Sequence, residues 1–186
     1  GHVIFLATKK EDRTVDWLRK NQGFKRVKDL GSLHPEVNDK VIFKPDFPNM
    51  SANQLRQYHH NFFKEVMMYV FRSGHWTLDC DEVRYLTEFL RLREEYELLL
   101  LQGRSLKITV VSKTQRPKAI PLTAYDQATH LFFWRDTDEE NLKRIGGLGA
   151  AHNAKDIRKE VASLPHHVVL YLNTTTGEKL TTKVNV

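Results

Sequence analysis

His75-Trp-Thr-Leu-Asp-Cys-Asp-Glu82 is an apolar run that ends on two acids, and Lys107-Ile-Thr-Val-Val-Ser-Lys-Thr-Gln-Arg-Pro117 is a β-branched run that ends on a polar tip. The pattern predicts a strand over residues 76–80 and a second over 107–111. Acids at one strand end beside a polar tip on the next are the residue types a nucleotide hydrolase needs. One carboxylate holds a magnesium shell, a second polarises the attacking water, and a polar group senses the terminal phosphate. No GxxxxGK[ST] occurs in the sequence, so the loop that cradles phosphates in that chemistry is not among these residues.

Outward from this pair, Val3-Ile-Phe-Leu-Ala7 predicts a buried strand, and residues 13–21 a short helix stopped by Gly23. Val41-Ile-Phe43 predicts another strand, closed by Pro45 and Pro48. Ser51 caps a helix on which Leu55, Tyr58, Phe62, Phe63, Val66, Met67 and Val70 recur at helical spacing, ending at Ser73-Gly74. Residues 83–101 read as one long helix with Tyr85, Leu86, Phe89, Leu92 and Tyr96 on a common side. Leu131-Phe-Phe-Trp134 predicts a further strand, and Asp138 starts a charged helix reaching Ile145. A hinge is expected at Gly146-Gly-Leu-Gly149, then a helix over residues 153–164 and a hairpin with strands at 168–172 and 179–184 turning at Thr176-Gly177. Strands alternating with helices predict an α/β fold with a mostly parallel sheet and helices on both faces.

The chain has 186 residues, 40% of them hydrophobic and 28% charged, which fits one soluble domain. No stretch approaches the 18 or so apolar residues of a membrane span. The one cysteine, Cys80, cannot form an internal disulfide or a thiolate zinc cluster, which points to a reducing cytoplasm. A net charge of +6 suits a polyanionic partner such as nucleic acid without identifying it. The basic clusters Lys25-Arg26-Lys28 and Lys155-Arg158-Lys159 are candidate phosphate contacts, and equally solvated faces. Adjacent histidines, His59-His60 and His166-His167, face different directions and do not suit chelation of one ion. Asp79, on the strand face opposite Cys80, is either a further site acid or the partner of a nearby Lys or Arg, and the second role is expected.

The strand ending Asp81-Glu82, the helical segment after it, Gly103-Arg104, the strand ending Thr114-Gln-Arg-Pro117 and the strand ending Trp134-Arg135-Asp-Thr-Asp138 together resemble the HerA/FtsK group of P-loop ATPases. Motifs carry the resemblance over residues 76–145, and element order extends it to the flanks. Thr-Gln-Arg-Pro after a β-branched strand is its most specific part.

The resemblance implies a P-loop NTPase-like fold of the additional-strand type. The chain would be a single partial ATPase domain over 1–186, with 165–186 its terminal hairpin and its first strand and phosphate loop lying before Gly1. It implies ATP and Mg2+ as cofactors, DNA as partner, and a homo-oligomeric ring, expected to be a hexamer, that translocates or transfers DNA. Any membrane association would reside in other segments. By matching positions, Asp81 is the Walker B acid that binds magnesium through water, and Glu82 the catalytic base. Thr114 contacts nucleotide and Gln115 is the sensor. Arg104 is placed to reach a neighbouring subunit's site, and Arg135 matches a recurring arginine. The alternatives are an inactive DNA-binding or assembly subunit, and a nuclease or phosphotransferase of unrelated fold in which Asp79, Asp81 and Glu82 form a metal cluster. Adjacent parallel strand tips carrying Asp81 and Gln115 would decide against the last.

Overall fold

Short apolar runs pair in parallel through the first part of the chain. In the computed structural model, which describes residues 1–147 and 152–184, two compact units form, 1–115 and 116–186. In the first unit, β1 (His2–Leu6), β2 (Lys25–Val27), β3 (Lys40–Phe43), β4 (Trp76–Cys80) and β5 (Thr109–Ser112) make one sheet in the order β2-β3-β1-β4-β5, all parallel. Helix α1 (Arg13–Asn21) covers one face, setting Val15 against Phe5, Ala7 and Ile42. Helices α2 (Ala52–Ser73) and α3 (Arg93–Gln102) serve the other. There Phe62 meets Phe43, Tyr69 meets Trp76, and the Tyr96 hydroxyl lies 2.6 Å from Ser112 Oγ.

Local chemistry fixes the helix ends. Asp12 caps α1 by accepting from the Thr14 N–H, and Ser51 with Gln54 forms a reciprocal capping box on α2. Gly74 ends α2 at φ +61°, where an added Cβ would stand 2.7 Å from the Leu106 carbonyl oxygen. Only glycine fits that approach without a shift.

The expected long helix over residues 83–101 is instead broken. A π-turn, Tyr85–Phe89, is followed by Leu90, Arg91 at φ +57°, and then α3. Leu86, Leu90, Leu92, Tyr96 and Leu99 are all buried, while Phe89 stays 49% exposed. A continuous helix cannot bury both Leu90 and Leu92 on one side, and each buried leucine is worth about 1.5–3 kcal/mol. The break buries both. Two adjacent histidines of α2 hold it: His59 Nδ1 lies 2.7 Å from the Tyr85 hydroxyl, and His60 Nδ1 lies 2.7 Å from the Leu90 carbonyl oxygen. Strand β2 was not foreseen either, because its sequence Lys25-Arg-Val27 reads as a solvated cluster. It is an edge strand carrying charge, which discourages pairing with other chains.

The second unit holds α4 (Leu122–Asp126), β6 (His130–Phe133), α5 (Glu139–Gly146), α6 (Ala154–Ser163), β7 (Val168–Asn173) and β8 (Lys179–Lys183). Strand β6 pairs antiparallel with β7, and β7 with β8, so the alternation of strands and helices did not predict its direction. Ile145, Ile157 and Val161 of α5 and α6 pack on Leu131, Phe133, Leu170 and Leu172. On the opposite face, Phe132 is 54% exposed and its ring lies 5.1 Å from that of Tyr171. Of the expected glycine hinge, Gly146 lies in the last turn of α5 and faces the Arg158 side chain at close range. Leu148 and Gly149 lie outside the described residues.

His59 is fully buried, with Nε2 3.0 Å from the Asp46 carbonyl oxygen and Nδ1 at the Tyr85 hydroxyl. The neutral ring donating from Nε2 and accepting at Nδ1 satisfies both contacts. Burial pushes its pKa below the ordinary 6.5, although the Asp46 carbonyl favours the charged ring. The folded state therefore binds the proton more weakly than the unfolded one. The stability that neutral His59 contributes is present above 6.5 and is lost as pH falls through the lower folded value. His59→Gln is expected to cost about 1–3 kcal/mol near neutrality, and the gap from wild type to shrink on acidification. Urea unfolding of both proteins at neutral and mildly acidic pH measures this, and a pH-independent gap contradicts it.

Candidate functional site

Parallel pairing sends the carboxyl ends of β1, β4 and β5 to one edge of the sheet, the edge at which α/β sheets place ligands. Beyond those ends come Lys9, then Asp81 and Glu82, then Lys113, Thr114 and Gln115. Lys9 Nζ lies 3.0 Å from Asp81 Oδ2, and the Asp81 side chain is only 11% exposed. Lys113 Nζ lies 2.8 Å from each oxygen of Asp79 and 4.8 Å from the centroid of the Phe5 ring. The Thr114 hydroxyl donates to Glu82 Oε1 at 3.0 Å.

Each acid thus has its own partner. Among the described residues, no group of three or more His, Cys, Asp or Glu side chains is arranged to hold a metal. Asp81 and Gln115 follow adjacent parallel strands, the arrangement that decides against the nuclease reading. Asp79 found a lysine, which is the role expected of it.

The charges are set by burial and by these pairs. Burial pushes the Asp79 carboxyl above its ordinary range, Lys113 pulls it partly back, and the Asp81 charge adds to the rise. Burial works against the Lys9 ammonium, but the hydrogen bond and charge of Asp81 outweigh it, so its pKa is raised and it stays protonated near neutrality. Burial also pushes the Cys80 thiol up, which keeps it an unreactive core residue.

The structure therefore joins Thr114 to Glu82 and pairs Asp81 with Lys9, while Gln115, the residue after Thr114, is exposed. It does not bring Arg104 to them. That residue lies in the 3-10 turn Gly103–Leu106 before β5, at the amino-terminal edge of the sheet, where the His75 N–H donates to Leu106. Arg135 follows β6 in the second unit and is exposed. Neither Lys9 nor Lys113 is among the site residues read from the sequence. Asp79 was the available signal, because an acid inside an otherwise apolar strand asks for a cation on a neighbouring strand tip.

No family model matches the chain, and neither does any curated protein. Solved structures do. The genome packaging NTPase B204 from Sulfolobus turreted icosahedral virus 2 in complex with sulfate is 14% identical at a TM-score of 0.55, covering 100% of this chain and 97% of that one. The same NTPase in complex with ATP-gammaS is 12% identical at 0.58, covering 98% and 96%. B204, the DNA-packaging ATPase from Sulfolobus Turreted Icosahedral Virus, is 14% identical at 0.53, covering 97% and 96%. What is shared at these identities is the fold.

Asp79 is mostly buried, whereas Lys113 is 42% exposed and can be solvated alone. The two halves of the pair should therefore differ. Asp79→Leu is expected to lie within about 1 kcal/mol of wild type, or above it, since it removes a carboxylate that burial disfavours. Urea unfolding at neutral pH tests this, and a loss well beyond that range contradicts it.

Proposed function

We propose that this chain is the acid- and sensor-bearing part of an ATP-driven DNA motor. The observation that carries the reading is the Thr114–Glu82 hydrogen bond between the ends of adjacent, parallel β4 and β5, with Asp81 and Gln115 the residues next to them in sequence. The packaging function of the structural neighbours and the net charge of +6 support DNA as the partner.

In this reading Glu82 accepts the proton of the attacking water, and Thr114 orients its carboxylate through the hydroxyl already donated to it. Gln115, exposed at the tip, contacts that water and the γ-phosphate. Magnesium asks for few protein carboxylates and keeps waters and phosphate oxygens as its other ligands. Asp81, a single carboxylate facing the same edge, fits that demand and would hold it, with Lys9 giving up its place. The bound ion would neutralise charge on the phosphates. Arg104, at the far edge of its own sheet, can reach a phosphate only in another copy, which is the reason to propose a homo-oligomeric ring, a hexamer by family resemblance. Arg135 is proposed as a second transition-state cation. We place the motor in the cytoplasm, and among the described residues no helix is long and apolar enough to cross a membrane.

By the family resemblance the phosphate loop is proposed to come from a segment outside these residues, although the chain already spans 96% of the neighbour in complex with ATP-gammaS. Strand β5 is an edge strand whose Thr109 and Val111 are exposed, Val111 to 38%, although β-branched strands of parallel sheets are normally covered on both faces. A further strand beside β5, leading through the loop into a helix over Val111, would cover both.

The test is ATP turnover, with and without DNA, of a protein that carries such a segment before Gly1. DNA-stimulated turnover reduced about 10²–10⁴-fold by Glu82→Gln is the expected result. Absence of both turnover and nucleotide binding would favour the other reading, an inactive assembly or DNA-binding subunit in which Lys9 permanently neutralises Asp81.

A further inference from the structure

We infer that Lys113 is a positioning residue for the Glu82 carboxylate, spanning the Asp81-Glu82 pair with its backbone while its side chain is pinned beneath. The inference rests on the reading of Glu82 as the proton acceptor. The Lys113 N–H donates to the Cys80 carbonyl at 3.0 Å, and the Lys113 carbonyl accepts from the Val83 N–H at 3.0 Å. Those partners lie immediately before Asp81 and immediately after Glu82. The two acids are therefore a short loop whose two ends are tied to one residue, the first after β5.

Extended backbone alternates its side chains, so Lys113 shares the face of Val111, the residue paired with Asp79, which is in turn paired with Phe5. On that face its ammonium is held between the Asp79 carboxylate, at 2.8 Å, and the Phe5 ring, at 4.8 Å from the centroid. The next residue, Thr114, gives its hydroxyl to Glu82. Fixing the Lys113 side chain therefore fixes the peptide groups on both sides of the acids, and through them the distance over which Thr114 reaches Glu82. Lys113 touches no reacting atom in this arrangement. It acts through the backbone and through Thr114.

Amide hydrogen exchange and carboxyl carbon NMR of the 186-residue chain test this without requiring turnover. In Lys113→Met, the Val83 amide is expected to exchange roughly five- to tenfold faster, the worth of about one hydrogen bond. The Glu82 carboxyl resonance should shift toward its position in Thr114→Val, while the Ile4 and Ile42 amides at the sheet centre keep their protection. Lys113→Arg, which retains a cation for Asp79 and Phe5, should restore both signals. Should Lys113→Met fold poorly because Asp79 loses its partner, Asp79→Leu with Lys113→Met removes the unpaired acid, and the same two changes are expected. Unchanged Val83 and Glu82 signals overturn the inference, and so does a uniform loss of protection across the sheet. A failure of the nucleotide reading would show instead as turnover indifferent to Glu82→Gln.

Discussion

The parallel pairing of β4 with β5, in the register that sets Cys80 opposite Ser112, is the constraint on which the candidate site depends. A parallel pair ends both strands at one edge, so whatever follows each strand in sequence must meet there. Here an acid pair follows one and a threonine and glutamine follow the other. A register slip of one residue in β4 would turn Asp79 to the face that α2 and α3 cover and carry Leu78 and Cys80 off it. The buried faces thus enforce the alignment that the polar tips use. The helices on that face support it: Leu78 and Cys80 are buried beneath the layer formed by α2 and α3, and Tyr96 reaches Ser112 at the end of β5.

Much of this was legible because it is local. Trp76–Cys80 and Arg13–Asn21 have the predicted bounds, and α2 follows its Ser51 cap and ends at Gly74, since strand alternation, capping residues and glycine stops act over a few neighbours. The break after Tyr85 was not legible. It depends on His59 and His60 arriving from another helix, and on a choice between burying Phe89 and burying Leu90 that no single-helix pattern contains. The antiparallel direction of β6 was hidden for a similar reason. Its partner β7 lies some forty residues later, beyond two helices.

The acids and the lysines divide along the same line. Asp81 and Glu82 were readable as a motif at a strand end, while their partners belong to other strands. Lys9, the partner of Asp81, comes from beyond β1, and Thr114, the partner of Glu82, from beyond β5 together with Lys113, which holds Asp79, so the electrostatic balance of the edge is a tertiary property. That balance has a consequence for chemistry. An acid already neutralised by a lysine is a poor magnet for a free ion, and it can accept one only when other oxygens arrive with it. On the proposed reading the edge would take a metal together with phosphate, rather than by protein groups alone.

The most direct test of the account is where a nucleotide-borne metal sits. In a protein that includes a phosphate-loop segment, titration with Mn2+ and ATP while observing backbone NMR signals reports it by paramagnetic broadening. The account predicts broadening centred on Asp81, Glu82, Thr114 and Gln115, and weak or absent when Mn2+ is added without ATP. Broadening centred elsewhere, or equal with and without ATP, would contradict it.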